Sequence, residues 1–160
     1  MATSQPTAPR VGVAAIMFNA KDELLMGKRA GSHGAGSWAC PGGHLEMGES
    51  FFKCAERETL EETGLRVKAA EVVAVTNDVF DAESKHYITV FVHCVMEDPE
   101  AIPQTLEPNK CEGWHWVSWD TVRQWSEHHD DPSAKWANKC FLPMRNLVKE
   151  KADLELLRQK

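Results

Sequence analysis

A chain of 160 residues, 42% of them hydrophobic, is long enough for one domain with a substantial core. Its net charge of −6 and the lack of any basic run argue against a nucleic-acid polymer gripped through its phosphates. No apolar run is long enough to span a bilayer, and MATSQPTAP at the N-terminus has neither a signal-peptide core nor an arginine-rich transit pattern, so no membrane partner and a cytoplasmic location are expected.

The five cysteines, Cys40, Cys54, Cys94, Cys111 and Cys140, are odd in number and show no CxxC spacing, which fits reduced thiols. Residues 1–9 read as a flexible N-terminus, residues 10–150 as a single domain and residues 151–160 as a helical tail. The nearly unbroken apolar run 11–18 predicts a strand buried on both faces, and the turn Asn19-Ala20-Lys21-Asp22 leads to a second strand over 23–29. The Gly-rich segment 30–37 is either a mobile loop bordering a pocket or a plain connector.

Beyond residue 65 the pattern returns to strands. Segments 71–80 and 86–96, rich in Val, Ile, Thr and Phe, read as an antiparallel pair joined by Asp81-Ala82-Glu83-Ser84. Segment 111–119 sets Trp114 and Trp116 on one face. A short helix is expected over 120–125, a polar loop over 127–133, and helical character over 136–157 broken near Pro143. Strands, helix, strands, helix is the order of an α+β (α/β) sandwich with a mixed sheet.

Between the two strand groups lies the stretch that carries chemistry, PGGHLEMGESFFKCAERETLEETGL from Pro41 to Leu65. Ser50 is a good N-cap and Gly64 a good C′ residue, so a helix should run between them. One turn apart, Glu58 and Glu62 share a face with Glu61 beside them, while Phe52, Ala55, Thr59 and Thr63 form the stripe that would face a core. Three ionised carboxylates so close repel unless a cation sits among them, and Mg²⁺ is held by just such hard oxygens together with waters and substrate phosphates. Pro41-Gly42-Gly43 allows a sharp turn and close approach to a ligand, and Arg57 can clasp Glu49 across the junction of loop and helix.

These positions resemble the Nudix hydrolase box, G-x5-E-x7-R-E-U-x-E-E-x-G-U with U a bulky aliphatic residue. Gly43, Glu49, Arg57, Glu58, Glu61, Glu62, Gly64 and Leu65 match it, and Thr59 departs where the first U belongs. Together with the GSW of 36–38 and LEPNKCEGWHWVSW of 106–119, the chain resembles the MutT-related branch of eukaryotic nucleoside triphosphate diphosphatases that includes the human thiopurine nucleotide enzyme. The resemblance implies an α/β/α sandwich with a loop-helix-loop catalytic box, a homodimer, use of Mg²⁺ (or Mn²⁺), and hydrolysis of a nucleoside triphosphate, (d)GTP or an oxidised purine among them, to monophosphate and pyrophosphate.

Carried over by position, Glu58, Glu62, Glu61 and the Gly43 carbonyl are implied metal ligands. Glu61 or Glu58 would be the proton acceptor, and Glu112 a further acidic group near the metals. Glu49, Arg57 and Gly64 are implied to be structural. Arg29 and His44 are candidate phosphate contacts or surface partners. Trp38, Phe141, Leu142, Met144 and Thr89 are candidates for the base pocket, against a plainer reading of the Trp and Met as core or interface. Two other readings stay open: pyrophosphatase of a dinucleotide such as NADH or ADP-ribose, and a silent ligand-binding module.

Overall fold

The computed structural model describes residues 8–31, 33–131 and 138–151. Strands β1 (Arg10–Ile16) and β2 (Glu23–Arg29) are followed by two short strands, β3 (Ser37–Ala39) and β4 (Gly42–His44), and by helix α1 (Phe51–Thr63). The long strands β5 (Val67–Phe80) and β6 (Lys85–Met96) come next, then β7 (Cys111–Ser118), α2 (Trp119–Glu127), β8 (Lys139–Cys140) and α3 (Leu142–Glu150). The expectations for residues 1–7 and 152–160 lie outside the described residues.

The strands form two mixed four-stranded sheets, in the orders β4-β1-β6-β5 and β7-β2-β3-β8. β1 runs parallel to β6 and antiparallel to β4, while β3 runs parallel to β8. Helices cover both sides of this arrangement. Ile16, Leu24, Met26 and Phe91 pack with Trp119, Val122 and Trp125 of α2 and with Met144 and Leu147 of α3. Val13, Ala15, Leu25, Val90 and Val92 pack instead with Cys54 and Ala55 of α1. Successive residues of β1 thus feed different cores, which is why its sequence is apolar without alternation. The result is the expected α/β/α sandwich.

The expected antiparallel pair is present, with Thr76 opposite Thr89 and Asp78 opposite Tyr87, and Ser84 closes its connection at φ 52°. Trp114 and Trp116 both pack against the α1-side core, as their spacing predicts. Two expectations fail. Phe52 is 39% exposed, and the buried face of α1 is Cys54, Ala55, Thr59 and Thr63. Thr59 is fully buried at the box's divergent position, and its hydroxyl donates to the Ala55 carbonyl, so a polar residue there leaves no donor unpaired. Pro143 does not break a helix; it stands in the first turn of α3, where a missing N–H costs nothing.

All five cysteines are free and buried. Among the described residues no helix is long and apolar enough to cross a membrane.

Candidate active site

The carboxylate face of the cleft is set by one helix and one short strand. Ser50 caps α1 by accepting from the Lys53 amide at 3.1 Å, and Gly64 ends it in the left-handed region at φ 75°, its N–H returning to the Leu60 carbonyl. β4 is wedged between β1 and α1 so closely that a Cβ on Gly42 would meet the Val13 carbonyl oxygen, and one on Gly43 would meet the Glu58 carboxylate, each below 2.5 Å. Neither glycine has a positive φ. Close approach, rather than a sharp turn, is therefore what demands them.

Arg57 is the hub of the box. Nε and Nη2 donate to the two oxygens of Glu49 at 2.7 and 3.0 Å, a bidentate clasp, while Nη1 donates to Glu58 at 3.0 Å and to Glu61 at 3.2 Å. Nη2 also reaches the His44 carbonyl at 3.3 Å, which fixes the segment between β4 and α1. The hydrogen bonds from Arg57 hold the Glu49 carboxyl at about 2, far below its ordinary value, and in return keep the guanidinium charged.

Glu58 and Glu62 move the other way. Burial raises Glu58 despite the Arg57 charge beside it. Burial, reinforced by the negative charge of Glu58, pushes Glu62 up to about 8, although the Gly42 amide donates to it at 3.3 Å. Glu61 is the open member of the group, its side chain 52% exposed.

Among the described residues no three metal-binding side chains converge on one point, because Arg57 Nη1 holds Glu58 and Glu61 to itself. The donor set nevertheless fits a hard divalent cation. Its oxygens line one open cleft, burial and mutual repulsion favour the neutral forms of the two inner carboxyls, a bias that a bound cation would oppose, and Arg57 can release Nη1 while the Glu49 clasp persists.

Adjoining the cleft is a second cavity of different chemistry. Phe80, Tyr87, Thr89 and Phe91 from β5 and β6 form one wall, Phe141, Pro143 and Met144 another, and Cys40 lies at the floor. His33, Phe80, Tyr87 and Phe141 make ring contacts between 4.7 and 6.0 Å, and the Arg29 guanidinium sits 4.0 Å over the Phe141 ring. Cavity and cleft share Arg29, His33, Gly43, His44 and Tyr87. His33 belongs to the segment 30–37, which therefore borders the pocket, and a side chain on Gly34 would collide with the Phe141 ring.

The structure thus brings Gly43, Glu58, Glu61 and Glu62 together along the cleft and Thr89, Phe141 and Met144 around the cavity, with Arg29 and His44 between. Three predicted residues fall elsewhere. Trp38 is taken up by the core, its ring 5.2 Å from Trp125 and 5.5 Å from His115. Leu142 borders neither space, because Phe141 and Met144 lie about one helical turn apart on a face it does not share. Glu112 pairs with Lys28 at 3.6 Å, is 57% exposed and lies outside the cleft, at a point where β7 shifts register against β2 and only Cys111 and Trp114 on either side of it reach the cleft. The acidic residue that does line the cleft from this part of the chain is Glu107, held to Lys110 at 3.2 Å.

Sequence reasoning also passed over Phe80, Tyr87 and His33. The alternation Tyr87, Thr89, Phe91 on one strand face was the available signal for part of this wall.

A NUDIX domain model matches residues 8–138. The chain belongs to the Nudix family. Relatives of this Nudix protein include the RNA pyrophosphohydrolase of Erwinia tasmaniensis, 27% identical over 135 residues that span 72% of the chain and 73% of that protein. Among solved structures it is similar to the MutT NUDIX hydrolase of Burkholderia pseudomallei, with TM-score 0.64 and 26% identity over 71% of this chain and 85% of that one. The MutT protein of Methanosarcina mazei Go1 shares the fold over 93% of this chain and 99% of its own, with TM-score 0.67 at 20% identity.

Proposed function

We propose that this Nudix hydrolase cleaves a purine nucleoside triphosphate, (d)GTP or a modified purine deoxynucleotide, to the monophosphate and pyrophosphate in the presence of Mg²⁺, as the MutT-related diphosphatase branch does. The observation that carries the reading is the shared wall. An aromatic cavity of base-like shape opens directly onto a carboxylate cleft, with Arg29 and His44 between them, where the phosphates of a bound nucleotide would run. The pyrophosphohydrolase relative agrees in reaction class.

In this reading Glu58, Glu62 and Glu61, with the Gly43 carbonyl, hold the cation. When bound, the cation screens the phosphate oxygens and lowers the pKa of water. Arg57 keeps α1 and β4 in register through Glu49 and His44, so the carboxylates stay aimed at the cleft. Arg29, lifted over Phe141, and Lys110, across the cleft, supply positive charge to the phosphates. We assign the water's proton to Glu61, the most exposed carboxylate of the three, with Glu58 as the other candidate. The reading includes a cytoplasmic homodimer. It is supported by the free thiols and by edge strand β5, which leaves Val72, Val75 and Val79 exposed beside Val95.

The test is a panel of nucleoside triphosphates, ADP-ribose and NADH in Mg²⁺, with products resolved by chromatography. Monophosphate and pyrophosphate from purine triphosphates are expected. Preferential cleavage of the dinucleotides, or release of diphosphate and orthophosphate, would overturn the assignment, and turnover of nothing in the panel would favour a binding module.

A further inference from the structure

Behind the cavity wall lies a carboxylate that the proposed reaction does not use. Asp78 is fully buried between β5 and α3, on the same sheet face as Phe80, Thr89 and Phe91. Three donors converge on it. Thr89 Oγ1 donates to Oδ2 at 2.6 Å, Thr76 Oγ1 to the same oxygen at 3.2 Å, and Asn146 Nδ2 to Oδ1 at 2.9 Å. Of these, Thr89 lines the cavity.

A threonine hydroxyl has one proton and two lone pairs. With its proton committed inward to Asp78, Thr89 shows the cavity an oxygen that can only accept. A free hydroxyl would turn to suit either kind of ligand atom; this one is held. Its backbone is also fixed, since β6 lies between β1 and β5 in the sheet.

We propose that Asp78 is a positioning residue for base selectivity. By holding the Thr89 proton it makes the cavity choose a purine that presents an N–H donor on its Watson–Crick edge over one that presents a lone pair. The inference rests on the reading of the cavity as a base pocket. A site built to pair a ligand N–H rejects the analogue without it, because its own polar atom is then left dry and unpaired.

Three ligands test it by calorimetry in Mg²⁺: inosine 5′-monophosphate, whose base carries one N–H on that edge, purine riboside 5′-monophosphate, which carries none, and ribose 5-phosphate. The wild type is expected to prefer the inosine compound over purine riboside by about tenfold, and both over ribose phosphate. Thr89→Ser should keep the ratio and Thr89→Val collapse it. Asp78→Ala should bring it within about threefold, because the freed hydroxyl accommodates either base; Asp78→Val, a better strand former, replaces it should the smaller side chain leave the sheet unstable. A merely structural Asp78 would lower the melting temperature and weaken both nucleotides equally, leaving the ratio intact, and that result overturns the proposal. So does a wild-type ratio within threefold. Equal binding of all three ligands would instead remove the base pocket itself.

Discussion

The cleft and the cavity share a wall and differ in how they are made. The hydrogen bonds that set the three carboxylates of α1 join residues between Gly42 and Glu62, a helix and the strand just before it. The cavity is assembled from segments up to 132 residues apart in the chain, from Gly12 of β1 to Met144 of α3. One is a local device that any scaffold of suitable geometry could carry. The other exists only when the sheet register and the docking of α3 are both correct. Chemistry and selectivity should therefore respond separately to mutation.

Glu62→Gln gives the strongest separation. If Glu62 holds the cation as proposed, losing its charge should lower turnover by more than the about 10–100-fold typical of outer partners of a metal site. Binding of purine monophosphates in the cavity should keep its ranking. Stability should move the opposite way. Glu62 titrates near 8 in the folded protein against an ordinary 4.5, so the folded state holds an extra proton between those values. Its contribution is full below about pH 4.5 and is lost as the pH rises toward about 8. The metal-free wild type should lose melting temperature over that window, and Glu62→Gln should melt roughly 5 °C higher at its upper end. Thermal melts in EDTA at several pH values read this directly; a mutant that melts lower throughout would contradict it.

Arg57→Lys should loosen the cleft from within. The lysine keeps the charge but cannot clasp Glu49 with two parallel bonds, nor reach Glu58, Glu61 and the His44 carbonyl together. Turnover and melting temperature should fall together, the latter by an amount equivalent to about 1–3 kcal/mol. Lost activity with an unchanged melt would mean that Arg57 meets the substrate.

Phe141→Ala addresses the cavity alone. The ring is half-buried and stacked under Arg29, so its loss should raise KM for a purine triphosphate about tenfold with a smaller change in kcat. Met144→Ala is the contrasting case. Met144 is 2% exposed and belongs to the core as well as to the cavity, so its truncation should cost about 2–5 kcal/mol of stability besides altering the ranking of bases. Equal effects of the two substitutions on melting would blur the distinction between wall and core.

The same contrast explains what could be read from the sequence. The spacing of Ser50, Arg57, Glu58, Glu62 and Gly64 is a statement about one helix, and helical geometry turns it into positions without further knowledge. The strand pair 67–80 and 85–96 was legible as a pair, but not which of its residues would meet Phe141, since that depends on α3 arriving over Asp78 through Asn146. Of the two readings open for Trp38, base pocket or core, packing against Trp125 selects the core, a choice that depends on where α2 docks. Glu112 was not placeable from alternation alone, because β7 shifts register against β2 between Cys111 and Trp114, so that both of these line the cleft and Glu112 is left to Lys28.

The five buried thiols have a use of their own. Burial pushes Cys54, Cys94 and Cys140 up to about 12, and Cys40 and Cys111 are raised by the same cause, so none offers a thiolate at neutral pH while the fold is closed. For Cys54, Cys94 and Cys140, which border neither cleft nor cavity, alkylation must then wait for an opening, whereas Cys40 and Cys111 are reached through those spaces. Because Cys54 lies under α1, Cys40 at the cavity floor and Cys94 in β6, mass spectrometry of maleimide adducts over time would clock the breathing of each region without any introduced label. A nucleotide seated in the cavity should slow the Cys40 clock and leave that of Cys94 running.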